Sequence, residues 1–580
     1  MGSAPPEADD YDLPLYSVHE DHHKPLLLTD EEAQTGKPNQ EGPSTPLSSS
    51  SPSSSSSKPT VPPRYSISLV IGPEPSTRPS HFTVRIHGGT LILFLLASLF
   101  VTRVVQTLSC FSPKSASSIG QSGKSFTLHP STAKIHRGID WSEISPEKVC
   151  EKKERRGIDL EEFAKRRDTL AGLLSSGQED DWGVWVSEPS PNTLYYVNLS
   201  TSDWYLSERP WLVVITPSIS TSSPKAHLSI LTPSFELSRT KRLPFALSPS
   251  DLSQISWVTW EEAENPYAIL SQHLGDLYAS YLSSIKESKA KWTIHLEENT
   301  RQLVADGIGQ AMRRGVEGRG LEVKVGLVGE SIREQRMRKT KKERELLRCV
   351  SKVTMHALRK VQTHLQVGMS EKQGEALIYN ALTSAGLTDL SIIVLFGANA
   401  ALPHASASAD KWLEEGEFAL FDVGGTLKGY ISDFTRTMLP NPRSSLHPSI
   451  EPSWPSRRSQ TIWNLVHDAQ ATALRTLDKR INITAAEVDL SARRIITDAG
   501  YGDHFTHRLG HGIGLQGHEG PYLNSGNSGT WLKEGEVFSI EPGVYLENQL
   551  GVRLEDLVIK TEEGYELVWS AGLAKSPWLP

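Results

Sequence analysis

The spacing of hydrophobic and polar residues changes several times along the 580-residue chain. From Asp159 the rhythm is helical: Leu160, Phe163, Leu170 and Leu174 recur at helical spacing, and Asp159 with Glu162 three residues on forms the start of a helix. Short apolar runs follow, GVWVS (183–187), WLVVIT (211–216), LSILTP (228–233) and ISWVTW (255–260), separated by Ser/Pro-rich turns. That pattern predicts strands alternating with helices. Over 338–365 a basic helix is predicted, with Leu346, Val350, Val353, Ala357 and Val361 as its apolar stripe and its charges on a solvated face. Ser370 with Gln373 caps the next helix, which Gly386 can end. Beyond it the period becomes two. Phe418, Leu420 and Asp422 share one strand face before glycines break the run, so residues 421–438 read as a β-hairpin. A turn centred on Leu427 and Lys428 sets Asp422 directly opposite Asp433, with Cβ atoms roughly 4.5–5.5 Å apart. The stretch 440–458 reads as a proline-rich surface insertion.

The head of the chain is different material. Residues 1–80 are rich in Ser and Pro, nearly all Ser from Ser48 to Ser57, and poor in apolar residues, which predicts a disordered tail. It leads to a hydrophobic run at 86–108, read as one transmembrane signal anchor. The uncharged part, Ile86 to Thr102, falls slightly short of the ~20 residues that span a bilayer, but Arg103 can snorkel and extend it. Its distance from Met1 argues against a cleaved signal peptide. The expectation is a single-pass membrane protein with a cytosolic N-terminus and its catalytic part in a secretory or vacuolar lumen, which the triplets Asn198-Leu-Ser and Asn482-Ile-Thr suit. Arg78 and Arg85 are balanced by Arg103 and Lys114, so charge barely discriminates the orientation.

A net charge of -8 gives no support for polyanion binding, and no nucleic-acid partner is expected. The three cysteines, Cys110, Cys150 and Cys349, are too scattered for a thiolate zinc site, and disulfides are not expected as a stabilising device.

Five residues of the last third have the types and order to hold two metal ions: Asp422, Asp433, His511, Glu541 and Glu555. His511 lies among Gly510, Gly512 and Gly514, poor helix formers, so its segment is extended rather than helical. Glu541 ends the run VFSIE before Pro542-Gly543 stops the strand, and Glu555 shares a strand face with Arg553. Four carboxylates in one low-dielectric site repel unless cations are present, and two divalent ions supply the charge. Mostly oxygen donors with one imidazole favour manganese over zinc, although cobalt or zinc can occupy such a site.

With these residues on the page, the segments DVGGTLKGYISDFTRT, HRLGHGIGLQGHE, SIEPGVY and VRLED resemble the pita-bread metallopeptidases, in particular the aminopeptidase P and prolidase branch. VLFGANAALPHA (394–405) is similar to that branch's segment bearing a substrate-side histidine. Upstream, FAKRRDTLAGLL and ERPWLVVI resemble a creatinase-type amino-terminal domain. The resemblance implies an α+β pita-bread catalytic domain over 338–580, preceded by an α/β amino-terminal domain over 134–334, as in two-domain aminopeptidases P. It implies that Asp422 binds one ion, that Asp433 and Glu555 bridge both, and that His511 and Glu541 complete the other, with Glu541 as proton shuttle. His404 and His518 then contact the substrate around the scissile bond, His507 shapes the pocket beyond it, and Arg553 orients neighbouring acids. The amino-terminal domain narrows access and takes part in subunit contacts of a homo-oligomer. The activity implied is release of the N-terminal residue from peptides with proline second, a bond many peptidases leave intact because proline's amide is tertiary. A prolidase restricted to Xaa-Pro dipeptides, and a pita-bread module that binds peptides without cleaving them, remain open at this stage.

Overall fold

The structure, a computed structural model, describes residues 139–579 apart from 176–180, 219–224, 285–290, 318–321, 441–454 and 481. The first sheet has six strands, β1 (Asp181–Ser187), β2 (Leu212–Pro217), β3 (Ala226–Pro233), β4 (Ser256–Trp260), β5 (Lys291–Leu296) and β6 (Glu322–Leu327), in the order β4-β3-β2-β1-β5-β6. The β1–β2 and β2–β3 pairs are antiparallel and the other three parallel. Every residue of β2 is buried because both faces are covered: Val213 and Ile215 join one apolar cluster, Leu212 and Val214 another. The four expected strands are present. β5 and β6 have no counterpart in the apolar runs, since KWTIHL and EVKVGL interleave charged and apolar residues.

Helix α1 (Leu160–Ser175) begins where Asp159 Oδ1 accepts from the Glu162 N–H at 3.0 Å, and it buries Phe163, Leu170 and Leu174. Leu160 instead stays 47% exposed, at the first turn. Helix α2 (Pro266–Ser284) packs beside α3 (Gln302–Val316) next to this sheet. Helix α4 (Lys341–Gln362) opens on a capping box, Thr340 with Glu343, and its predicted stripe is wholly buried against β8 (Ala419–Leu427) and β9 (Tyr430–Met438). Helix α5 (Glu371–Ser384) has the predicted Ser370–Gln373 box, and Gly386 follows it at φ +83°.

β8 and β9 form a hairpin whose outer neighbour is β7 (Thr388–Phe396). The turn residues are Lys428 and Gly429, with φ of +52° and +86°, the two left-handed positions of a tight hairpin turn. This corrects the expected register. Asp422 faces Thr435 and Asp433 faces Gly424, so the two aspartates are diagonal on one face rather than directly opposite. Diagonal positions are roughly 7–8 Å apart, still within carboxylate reach of a shared ion pair.

The remaining strands are β10 (Gly510–Gly512), β11 (Glu519–Leu523), β12 (Val537–Ile540), β15 (Asp556–Lys560) and β16 (Tyr565–Leu567), in one sheet ordered β11-β10-β12-β15-β16, and the ribbon β13 (Gly543–Leu546) with β14 (Leu550–Arg553). Two long helices, α6 (Arg457–Lys479) and α7 (Ala485–Asp498), cover them with an apolar cluster that includes Trp463, Ile496, Phe538 and Val558.

Two expectations are corrected. The single-pass membrane placement does not stand: among the described residues no helix is long and apolar enough to cross a membrane. The tail at 1–80, the 86–108 run and most of the 440–458 insertion lie outside the described residues. Cysteine, in turn, is a stabilising device. Cys150 and Cys349 form a disulfide across 199 positions, tying the segment before α1 to α4.

Candidate metal centre

Five separate segments bring the acids and the imidazole together. Asp422 is on β8, Asp433 on β9, His511 on β10, Glu541 just past β12, and Glu555 between β14 and β15. The glycines beside His511 allow this. A Cβ at Gly510 would stand 1.9 Å from the Ser539 carbonyl oxygen and one at Gly512 2.0 Å from that of Gly520, so only glycine lets β10 lie so close to its neighbours. Glu541 is held when its N–H donates to the Leu509 carbonyl at 2.8 Å. Glu555 is held from β9: its N–H donates to the Thr435 carbonyl at 3.0 Å, and Arg436 Nη1 donates to the Glu555 carbonyl at 2.6 Å. Arg436 is fixed in turn by a buried ion pair with Asp556 at 2.7 Å.

Ligand atoms of Asp422, Asp433 and Glu555 lie within 4.8 Å of one another, and so do those of His511, Glu541 and Glu555. The two groups share Glu555. His511 Nδ1 lies 3.1 Å from the Gly512 carbonyl, which can only accept, so Nδ1 carries the proton and Nε2 faces the acids. From Nε2 it is 3.2 Å to Glu541 Oε1, 3.9 Å to Asp433 Oδ2 and 4.0 Å to Glu555 Oε1.

Electrostatics test whether cations fit. Burial, then the charges of Asp422 and Glu541, push the Asp433 carboxyl well above its ordinary value. Burial and the charges of Asp433, Glu541 and Asp422 do the same to Glu555, whose buried Oε1 has no hydrogen-bond donor. At Glu541 burial also raises the pKa, but the hydrogen bond and charge of His511 outweigh it and hold the group at about 2. A site in which Asp433 and Glu555 resist ionising, with an acceptor oxygen left over, is a donor set that divalent cations complete.

A model of metallopeptidase family M24 matches residues 345–562. An uncharacterized peptidase of Schizosaccharomyces pombe is 36% identical over 429 residues, which cover 73% of this chain and 84% of that protein. The chain belongs to metallopeptidase family M24. M24 peptidases are dinuclear metalloenzymes, in keeping with the two adjoining ligand groups. Among solved structures, dipeptidase PepE from Mycobacterium ulcerans is 27% identical with a TM-score of 0.57, over 71% of this chain and 97% of that one. An X-Pro aminopeptidase from Thermotoga maritima is 25% identical with a TM-score of 0.51, over 70% and 97%.

Around this M24 centre the structure gathers the other predicted residues. The His518 ring lies tilted beside that of His511, centroids 4.1 Å apart, and desolvation, then the charges of His511 and Arg508, lower its pKa to about 4, so it is neutral at neutral pH. His404 is exposed, on the turn after β7, close enough for its charge to act on both His507 and His518. His507 Nδ1 faces the Arg508 carbonyl at 2.7 Å, leaving Nε2 to accept from Tyr545 Oη at 2.8 Å. Arg553 Nη2 donates to Asp422 Oδ2, Nη1 to Tyr545 Oη and Nε to Thr435 Oγ1. Thr435 Oγ1 donates to Glu555 Oε2 at 2.8 Å, and Ser539 Oγ to Glu541 Oε1 at 3.2 Å. Thr435 and Tyr545 carry no role in the sequence reading. Thr435 was reachable, because it sits two positions after Asp433 on the same strand face, but nothing in the sequence places Tyr545 against His507.

Proposed function

We propose that this M24 peptidase hydrolyses the bond between an N-terminal residue and a following proline, using two divalent ions, manganese by the chemistry of the donors. In this reading Asp422 would hold one ion and His511 with Glu541 the other, with Asp433 and Glu555 serving both. Bound divalent ions would activate water and polarise the scissile carbonyl. The chain's own residues do the rest. Glu541 shuttles the proton to the leaving nitrogen, His404 and His518 contact the substrate around the scissile bond, His507 shapes the pocket beyond, and Arg553 keeps Asp422 oriented. The unit built on the six-stranded sheet narrows access and contributes subunit contacts in a homo-oligomer.

The observation that supports this most is the convergence of two three-ligand groups on Glu555, with the His518 ring 4.1 Å from that of His511. The test is metal content and cleavage of Xaa-Pro and Xaa-Pro-Xaa peptides by wild type and Asp433→Ala. About two ions per chain and cleavage in wild type, both lost in Asp433→Ala, are expected. Fewer than one ion per chain, with no cleavage after manganese is added, would leave a non-catalytic binding module instead.

A further inference from the structure

The chain leaves the six-stranded sheet at β6 and enters α4 through a short helix, Glu330–Met337, and residues 338–340. Two cations of this connection reach the segment that carries His518. Lys339 Nζ donates to Glu519 Oε1 at 2.6 Å and to the Met337 carbonyl at 3.0 Å. Both charged side chains are shut off from solvent, 1% exposed for Lys339 and 2% for Glu519. Arg336 Nη2 donates to Gln516 Oε1 at 2.5 Å and stands 3.6 Å from Glu519 Oε2, a buried oxygen with no hydrogen-bond donor. Arg336 Nη1 donates to Asn192 Oδ1 at 2.6 Å, on the helix Pro191–Val197 that follows β1.

Glu519 opens β11, directly opposite Gly512, and follows His518 in the chain. It is buried whereas His518 is exposed. The planar peptide between them leaves few rotations, so whatever fixes Glu519 also aims His518. The far end of the 513–518 loop is fixed by backbone instead: the Ile513 N–H donates to the Val537 carbonyl at 3.0 Å, and the Ile431 N–H to the Gly514 carbonyl at 2.9 Å. The loop thus has two supports, the sheet and hairpin at the His511 end and the connection at the His518 end. Lys339 is itself anchored, its N–H donating to the Gly535 carbonyl at 2.8 Å. A Cβ at Gly514 would stand 2.8 Å from Lys339 Cε, so the loop lies directly on the lysine stem.

Burying a lysine with a glutamate costs hydration that their attraction only about offsets, so an apolar pair would pack as well. What the charges add is direction, because an ammonium or carboxylate displaced from its partner at this depth is far costlier than a displaced methyl group. We propose that Lys339, supported by Arg336, is a positioning residue of this peptidase. Through Glu519 and Gln516 it sets His518 beside His511, and it makes substrate binding at the metal centre depend on the unit built on the six-stranded sheet. This deepens the reading above and rests on its assignment of His518 to the substrate. Both cations act through the loop, not on the reacting atoms.

The experiment is a mutant cycle in the manganese-loaded full chain. Lys339→Met with Glu519→Gln, which removes both charges together, and Arg336→Gln are each made in wild type and on His518→Ala. With an Xaa-Pro peptide the charge-free pair is expected to lose roughly 10- to 100-fold in kcat/KM, the scale of an ångström-sized misplacement, and Arg336→Gln less. On His518→Ala the same changes should cost within about twofold, because the residue they position is gone. Manganese content should stay at the wild-type value. Hydrogen exchange, read without substrate, should quicken across 513–520 and not in α4. Equal losses with and without His518 overturn the proposal, and so does wild-type exchange of the loop in both variants. Should the charge-free pair fail to fold, Arg336→Gln carries both readouts. A wild type that cleaves no Xaa-Pro peptide overturns the Xaa-Pro reading instead, and the exchange comparison still decides whether the connection holds the loop.

Discussion

Arg553 donates from Nη2 to Asp422 Oδ2 at 2.6 Å, both ends withdrawn from solvent. Its other nitrogens reach Tyr545 Oη at 2.8 Å and Thr435 Oγ1 at 3.1 Å, and the Thr435 hydroxyl donates to Glu555 Oε2. One planar group thus orients acids on two segments. Arg553→Lys keeps the charge but cannot make three directed contacts. Metal affinity and kcat are expected to fall about 10- to 100-fold, as for loss of a partner that orients metal ligands. Metal titration and steady-state kinetics check this, and wild-type affinity in Arg553→Lys would refute it.

Tyr545 Oη accepts a hydrogen bond from Arg553, so its own hydroxyl donates to His507 Nε2. Tyr545→Phe removes that donor and leaves the ring in place. Catalysis is expected to fall while the melting temperature changes little, and a variant that keeps wild-type kcat/KM would deny His507 its assigned orientation.

The acid cluster also predicts a trade between stability and function. Folding raises the pKa of Asp433, chiefly through burial, so its contribution to metal-free stability is complete below the ordinary aspartate value and is lost as pH rises through the folded value. In chelator at neutral pH, Asp433→Asn should therefore melt above wild type, while the rise in melting temperature on adding manganese disappears. A variant that melts lower with and without metal would show that the repulsion is not there.

Glu536 carries a similar signature away from the ligands. Burial lifts its pKa to about 7 against a favourable hydrogen bond from the Lys533 N–H. The sign is the same: its contribution is complete below about 4.5 and lost as pH approaches 7, on the order of 3 kcal/mol. Denaturant unfolding of the manganese-loaded protein across that window should show the decline, and Glu536→Gln should flatten it. Parallel profiles for the two proteins would rule it out.

The disulfide between Cys150 and Cys349 closes a loop of 199 positions. Cys150→Ser is expected to lower stability by about 2–5 kcal/mol, seen as a lower denaturant midpoint. Peptide mapping without reductant should recover the two cysteines linked, and free thiols at both would contradict the pairing.

Much of this was legible from local pattern. The capping box at Ser370 and the Asp159 cap at the start of α1 depend on residues three apart, and the buried stripe of α4 on spacing within one helix. The five ligand positions are readable because glycines and strand ends mark them. Leu160 was misread because a periodic position in the first turn can still face solvent. β5 and β6 were missed because alternating charged residues weaken an apolar run.

By itself the sequence determined the elements whose causes lie within a few residues, and the chemical types of the five candidate ligands. Only the tertiary structure decided the aspartate register, since that follows from the left-handed backbone of Lys428 and Gly429. It alone joined Cys150 to Cys349, set Tyr545 against His507, and gave the buried Lys339 its acid in Glu519. Partners so far apart along the chain leave no local spacing to read. Whether a buried charge is answered or unanswered is a property of the packed fold.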